Sequence, residues 1–387
     1  MVGINFEDWE QRKLENITLK IGSGKTPKGG STVYVESGIP LLRSQNIHSN
    51  KVNFDDVVYI TEDINKQMLN SSVLKDDVLL NITGASIGRS AVYTADIPAN
   101  VNQHVCIIRP NQEGNSFFIQ LNIVSTKGQK EIDLNQAGGG REGLNFQQIS
   151  KMTFSYPSIE EQMQIGSFFK QLDETIALHQ RKLMNLGLLK KSFLRLMFPQ
   201  KDEKVPRLRF ANFSLNWEQH KLISIAEIYN NLRIPVTTSD RVSGATPYYG
   251  ANGIQDYVDG HTHNGEYVLI AEDGANDLIN YPVNYVKGKI WVNNHAHVVS
   301  GNKNELDNLF LTSRIKSMNI SPWLVGGSRA KLNSNILKKI LITIPNFNEQ
   351  QKVGSFFKQL EDTIVLHHDK VEKLKQLKEV YLQKLFV

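Results

Sequence analysis

Two histidine pairs, His261-Thr262-His263 and His295-Ala296-His297, stand on either side of the acidic Glu272-Asp273. Alternate residues on a strand share a face, so the pairs could meet around an ion and make a metal-dependent nuclease. The stretch around His104, which matches the second pair, keeps only that one histidine, which favours a hydrogen-bonding or DNA-contacting role over a metal. Other catalytic signatures are missing. There is no Asn-Pro-Pro-Tyr or Asp-Pro-Pro-Tyr segment to methylate a flipped base, no dinucleotide fingerprint, no Gly-x-Ser-x-Gly and no His-Glu-x-x-His. The run Gly22 to Gly30 contains Gly-Lys-Thr, but Leu19 stands where a phosphate loop needs glycine and Pro27 would interrupt the helix that must follow. It reads as a glycine turn.

What the chain does carry is a set of polar loops rich in amide and guanidinium groups. Early in the chain they are Lys25-Thr26, Arg43-Ser44-Gln45-Asn46, Gly84 to Arg89 with Ser86 at its centre, Asn102-Gln103-His104 and Gly140-Arg141. Later they are Tyr248-Tyr249 with Asn252, Glu272-Asp273-Gly274, Asn293-Asn294-His295 and Arg329-Ala330-Lys331. Arginine pairs with guanine and asparagine or glutamine with adenine in bidentate geometry, while glycine lets backbone approach phosphate. The same residues also form ordinary turns. Their recurrence at matching positions, with changed side chains, suggests one scaffold reading two different things.

That recurrence is a duplication. Between Glu161 and His179, 13 of 19 residues are identical to those 188 positions later, Glu349 to His367. Upstream, Gly139, Arg141, Leu144, Asn145, Lys151 and Pro157 repeat as Gly327, Arg329, Leu332, Asn333, Lys339 and Pro345, and Trp9-Glu10-Gln11 repeats as Trp217-Glu218-Gln219. Each half is a variable body followed by a constant tail. The bodies show short extended runs between Gly, Asn, Asp and Pro clusters: 39–42, 57–60, 78–82, 91–93 and 105–108, then 248–249, 267–271, 289–292 and 298–299, closing on strands ended by Pro157 and Pro345. Helices are expected over 116–125 and 308–318, and the opening 9–21 reads as an amphipathic segment entering a turn.

The tails are helical. Leu172, Ile176, His179, Leu183, Leu186, Lys190, Phe193 and Met197 follow steps of four and three, as do Leu360, Ile364, His367, Val371, Leu374, Lys378, Tyr381 and Leu385. A helix with one apolar stripe needs a partner. The other copy, reached through the proline-flanked linker, can supply it in antiparallel register; the alternative packs each helix on its own body. The expected class is α+β, with two duplicated mainly-β bodies joined by two long antiparallel coiled-coil helices in a pseudo-twofold arrangement. The boundaries are 1–158 for the first body, 159–198 for its helix, 199–206 for the linker, 207–346 for the second body and 347–387 for its helix.

The 387 residues hold one cysteine, Cys106, which excludes an internal disulfide framework and a four-cysteine zinc site. No secretory h-region opens the chain and no run of eighteen apolar residues occurs, so a cytoplasmic protein without a membrane span is expected. The net charge of +5 permits a polyanionic partner without requiring one.

Trp9-Glu10-Gln11-Arg12-Lys13-Leu14, Gly24-Lys25-Thr26-Pro27, Gly84-Ala85-Ser86-Ile87-Gly88, Pro247-Tyr248-Tyr249-Gly250-Ala251, Gly265 to Ile270, Glu272-Asp273-Gly274 and the paired tails after Pro157 and Pro345 occur in an order that resembles the DNA sequence-specificity subunits of bacterial type I restriction-modification systems, over essentially the whole chain. The resemblance implies two target-recognition domains, each reading half of a bipartite double-stranded DNA site, with helices that fix the unread spacer. It implies no catalysis and no cofactor in this chain. Two modification (methyltransferase) subunits would dock on the helices and bring S-adenosylmethionine, and restriction subunits would join for cleavage. One departure is that the second half has no counterpart of Gly22 to Gly30. On the helices, Phe168-Phe169 and Phe356-Phe357 are adjacent aromatic pairs of which a two-helix seam buries only one ring each, leaving the other for the modification subunits. A non-DNA protein scaffold is the remaining alternative.

Overall fold

The computed structural model describes residues 9–136, 143–200, 203–326 and 330–386. The chain divides into two compact units, 1–178 with 371–387, and 179–370. Each long helix, Ile159–Leu196 and Phe347–Leu385, therefore contributes to both. Among the described residues no helix is long and apolar enough to cross a membrane.

Each body is closed by an antiparallel ribbon that joins its beginning to its end: Glu10–Lys13 with Thr153–Tyr156, and Glu218–Lys221 with Leu341–Ile344. The opening segment is thus not one amphipathic element. It is two strands, Glu10–Lys13 and Thr18–Ser23, around the 3-10 turn Leu14–Ile17, because Thr18–Ser23 finds an antiparallel partner in Val105–Pro110. The glycine run continues from that strand, and no α-helix follows it; a Cβ on Gly24 would lie 1.6 Å from the Val101 carbonyl oxygen. Close backbone approach, not a phosphate, explains this glycine.

In the first unit two four-stranded sheets form, in the orders Val58–Ile60, Ile39–Leu42, Ala99–Val101, Ser72–Val73 and Thr18–Ser23, Val105–Pro110, Val78–Asn81, Ser90–Val92. In the second unit the matching segments make one six-stranded sheet: Ala226–Ile228, Ala296–Gly301, His263–Ala271, Val283–Val292, Ser243–Gly250, Gly253–Val258. The long pair His263–Ala271 and Val283–Val292 does the work of four short strands. In the first half that pair is broken where Asp77, buried at 1 %, accepts from the Leu74 amide (2.7 Å) and pairs with Arg109 (2.7 Å). In both units one parallel contact, Val101 beside Leu42 and Val292 beside Tyr249, puts two polar loops at the same sheet end.

The repeated tail motif is a docking device. Gln162 accepts from the Asn115 amide (3.0 Å) and donates to the carbonyls of Glu113 and Pro157; Gln350 accepts from Asp307 (3.0 Å) and donates to Glu305 and Pro345. One turn on, a Cβ on Gly166 would meet Asn115 Oδ1 at 2.7 Å, and one on Gly354 would meet Asp307 Oδ1 at 2.7 Å. Each helix therefore starts seated on its own body. It ends elsewhere. Phe198 lies in the core of the second unit against Trp217, Phe310 and Phe357, and Phe386 lies in that of the first against Trp9, Phe118 and Phe169. The two expected packings both occur, at opposite ends of each helix.

The seam is antiparallel within each unit. In the first, Phe168 packs on Tyr381 (centroids 5.3 Å) and Asp173 pairs with Lys378 (2.6 Å). In the second, Phe193 packs on Phe356 (5.0 Å), Lys190 pairs with Glu361, and His179 meets His367 (3.1 Å between Nδ1 atoms). Phe169 and Phe357 are correspondingly buried, at 1 % and 4 %, so a role for them on a subunit interface is withdrawn. Phe168 is 42 % exposed and Phe356 half-buried.

Candidate nucleic-acid interface

Most of the polar loops meet at one corner of each body, and the backbone that gathers them is the same twice. In the first unit, Asn102 N donates to Leu42 O, Ile82 N to His104 O, and Leu144 N to Ile82 O (3.1, 3.0 and 2.9 Å). In the second, Asn293 N donates to Tyr249 O, Glu272 N to His295 O, and Leu332 N to Glu272 O (3.1, 2.8 and 2.7 Å). A bridge then closes each loop, Thr83 to Gly143 and Asp273 to Lys331. Gly84 and Gly274 turn the chain in the left-handed region, φ 68° and 71°, where a side chain would be strained.

The first corner is an open depression of ≈ 420 Å³ lined by Ser44, Gln45, Thr83, Gly84, Ala85, Ser86, Arg89 and His104. His104 Nδ1 hydrogen-bonds Thr83 Oγ1 (2.6 Å), its Nε2 meets Gln103 Nε2 (3.1 Å), and Thr26 donates to Gln103 Oε1. Lys25, Gln103 and Arg89 are exposed beside it. Arg43 is turned away, donating to Asp56 O (2.9 Å). Asn46 is a correction: 2 % exposed, it accepts from Arg43 N and donates to Asn53 and Asp56 carbonyls, so it shapes the loop from inside. Asn102, half-buried, accepts from His104 N (3.1 Å) and acts as a turn former.

The second corner is built around an ionic hub. Glu272 accepts from Arg233 (2.7 Å) and Lys331 (3.0 Å), with His297 Nδ1 at 3.4 Å. Burial acts to raise the Glu272 pKa, yet these neighbours hold it below the usual carboxylate value. Burial lowers that of His297, whose Nε2 meets the Leu332 carbonyl (2.7 Å); because this keeps the imidazole neutral, Arg233 and Lys331 carry the effect on Glu272. Arg233 also donates to the carbonyls of Asn294 and Ala296, bracing the loop that bears His295. Asn294 is exposed, and Asn252 clamps Gly274 O and Asn276 N (2.9 and 3.0 Å).

Two residues here are further corrections. Tyr248 is 1 % exposed, its hydroxyl bonded to Val236 N (3.0 Å) under Arg241; Asn293 is 4 % exposed and accepts from His295 N (2.8 Å). Both faces are spent on the fold, whereas Tyr249 is half-buried. Arg141 and Arg329 lie outside the described residues. Thr83 and Arg233 were not among the candidates, and Glu272 was named for its loop and its place between the histidines, not as an ionic hub; the alignment of Thr83-Gly84 with Asp273-Gly274 was the signal for the first.

The histidine pairs do not converge. His297 is spent on other partners, its Nδ1 meeting Asn230 Nδ2 (2.9 Å) and its Nε2 the Leu332 carbonyl (2.7 Å). His263 is buried, its Nε2 bonded to the Tyr229 carbonyl. No group of three or more His, Cys, Asp or Glu side chains suited to a metal occurs among the described residues.

A family model described as the type I restriction modification DNA specificity domain matches twice, over residues 6–186 and 214–376. A Haemophilus influenzae protein named as a type I restriction enzyme specificity subunit is 52% identical over 136 residues, 35% of this chain and 35% of that one; the match thus spans about a third of this relative's length. A specificity subunit named from Methanocaldococcus jannaschii is 21% identical over 96% of this chain and 91% of its own. The crystal structure of the type I restriction-modification S subunit from M. genitalium superposes with a TM-score of 0.72 and 14% identity over 100% of this chain and 98% of that one, a likeness of fold.

Proposed function

The chain belongs to the family of type I restriction-modification DNA specificity domains, and from that premise we propose that it is the non-catalytic specificity subunit of such a system, each corner reading one half of a bipartite double-stranded DNA site. The observation that carries this is the pair of corners: identical backbone bonds gather four loops in each half, while the side chains they present differ. A scaffold that keeps its frame and changes its exposed groups fits two readers of different sequence. Arg89, Lys25, Gln45 and Ser86 are the first reader's candidates; Asn294, His295, Tyr249 and Lys331 are the second's, while Gln103 and Asn252 hold their loops in shape. The helices set the distance between half-sites and receive two modification subunits, which bring S-adenosylmethionine and the methyltransferase site; restriction subunits join that assembly. Phe168 and Phe356 are the seam aromatics with exposed edges for that docking.

The test is co-expression with the neighbouring modification subunit and mapping of methylated adenines at single-base resolution. Two short blocks around a fixed gap support the reading, and exchange of residues 83–89 and 102–104 for those of a relative should change one block alone. A continuous motif, or methylation indifferent to that exchange, overturns it.

A further inference from the structure

The two corners carry a histidine at the same place, but only one has a free edge. At His295 the partner of Nδ1 is the carboxylate of Asp273. An ionised carboxylate only accepts, so Nδ1 holds the proton, and in the neutral ring Nε2 is left with a lone pair. The backbone around it is fixed by Asn293 Oδ1 on the His295 amide (2.8 Å) and by Glu272 N on its carbonyl (2.8 Å). The imidazole is 39% exposed, and among the described residues Nε2 has no hydrogen-bond partner. At His104 the neighbour is the Thr83 hydroxyl, and Nε2 is already engaged by the Gln103 amide.

We propose that His295 Nε2 reads a base edge in the second half-site, accepting a hydrogen bond from an exocyclic amino group in the major groove, adenine N6 or cytosine N4. Asp273 is the positioning residue that fixes the tautomer and so selects an amino over a keto group. The first corner cannot use its histidine in this way, because Gln103 covers its Nε2. This assignment rests on the reading of the corner as DNA-facing.

The experiment uses the full chain in complex with its modification subunit and measures binding to duplexes in which each base pair of the second half-site is replaced in turn. Wild type should discriminate at one amino-bearing position by on the order of 10-fold or more. His295→Ala should abolish that discrimination at that position alone. In wild type, replacing the adenine by purine, or the cytosine by 2-pyrimidinone, should reproduce the loss and name the base; in His295→Ala the same analogue should cost nothing more. Asp273→Asn should weaken the preference without moving it, and His104→Ala should leave the second half-site unaffected. Retained discrimination at the other base pairs of the second half-site shows that the second body of each of its variants is folded. A uniform fall across sequences, an unchanged profile, or a preference for a keto edge overturns the assignment. Asn294→Asp separates the two levels: if this exposed charge weakens binding while His295→Ala changes nothing, only the histidine assignment fails, and if neither matters the DNA-facing reading of the corner fails with it.

Discussion

The first corner is apolar at its centre and the second is charged there. Where the first places Ile82 and Cys106, both buried, the second places Glu272 and His297 on matching backbone. Burial pushes the Cys106 thiol up to about 12, which leaves it an apolar filler. Glu272 instead ties Arg233 and Lys331 to the loop that presents His295. A duplicated frame can thus be braced by apolar packing or by an ionic hub without moving a backbone hydrogen bond. Which brace is used decides how the loop responds to acid and to salt.

The largest effects are expected where the two halves do not differ. Phe198→Ala and Phe386→Ala each remove a fully packed ring beside a tryptophan and should cost about 4 kcal/mol. Hydrogen exchange followed region by region should show Phe198→Ala loosening the second body and Phe386→Ala the first. A reversed pattern would break the equivalence of the frames. Seating defects come next: Gly166→Ala and Gly354→Ala drive a methyl into Asn115 and Asp307 and should each cost about 2 kcal/mol in thermal unfolding.

The contrast itself is tested at Glu272. Glu272→Gln strands Arg233 in a buried site and should cost about 3 kcal/mol, whereas Ile82→Val in the first half should cost about 1 kcal/mol. Acid should have the same selectivity. The folded-state pKa of Glu272 is depressed, so its contribution is present above the unfolded value of about 4.3 and is lost as pH falls through the folded one. The depressed His297 acts in the same direction and earlier: below about 6.5 the unfolded ring takes a proton that the buried ring refuses. Exchange protection in His263–Ala271 and Ala296–Gly301 should therefore fall between pH 7 and 5 on the scale of these ordinary pKa values, ahead of that in Val78–Asn81 and Val105–Pro110. Parallel loss in both halves would remove the distinction.

The duplication, the long helices and the loop positions were legible because each leaves a pattern in the chain. Steps of four and three gave the seam, and repeated glycines marked where loops turn. What was not legible is what depends on pairing at a distance. Thr18–Ser23 has no alternation strong enough to declare a strand, and becomes one because Val105–Pro110 lies beside it. Asn46, Tyr248 and Asn293 have side chains suited to DNA, but burial commits them to neighbouring backbone. The repeated Gln of each tail could be seen as shared, while its use as a clamp on Asn115 and Asp307 needed the fold.

The smallest effects belong to the seam, where the duplication supplies its own control. Asp173–Lys378 and Lys190–Glu361 occupy equivalent places on the helices. Both pairs are partly exposed, so Asp173→Asn should cost less than about 1 kcal/mol and should be screened by salt. Glu361 differs in one respect: a second cation, Lys316, acts on it from the body of its unit. Burial raises the Glu361 pKa, but Lys190 and Lys316 together hold it low, so its contribution is present above the ordinary carboxylate value and is lost as pH falls. At the position of Lys316 in the first half the helix Ser116–Val124 ends on Val124. Glu361→Gln should therefore cost more than Asp173→Asn, and Lys316→Met should cancel the excess in a double-mutant cycle. Equal costs without that cancellation would mean that Lys316 is screened from the seam, and the two helix pairs would then be alike in energy as well as in sequence.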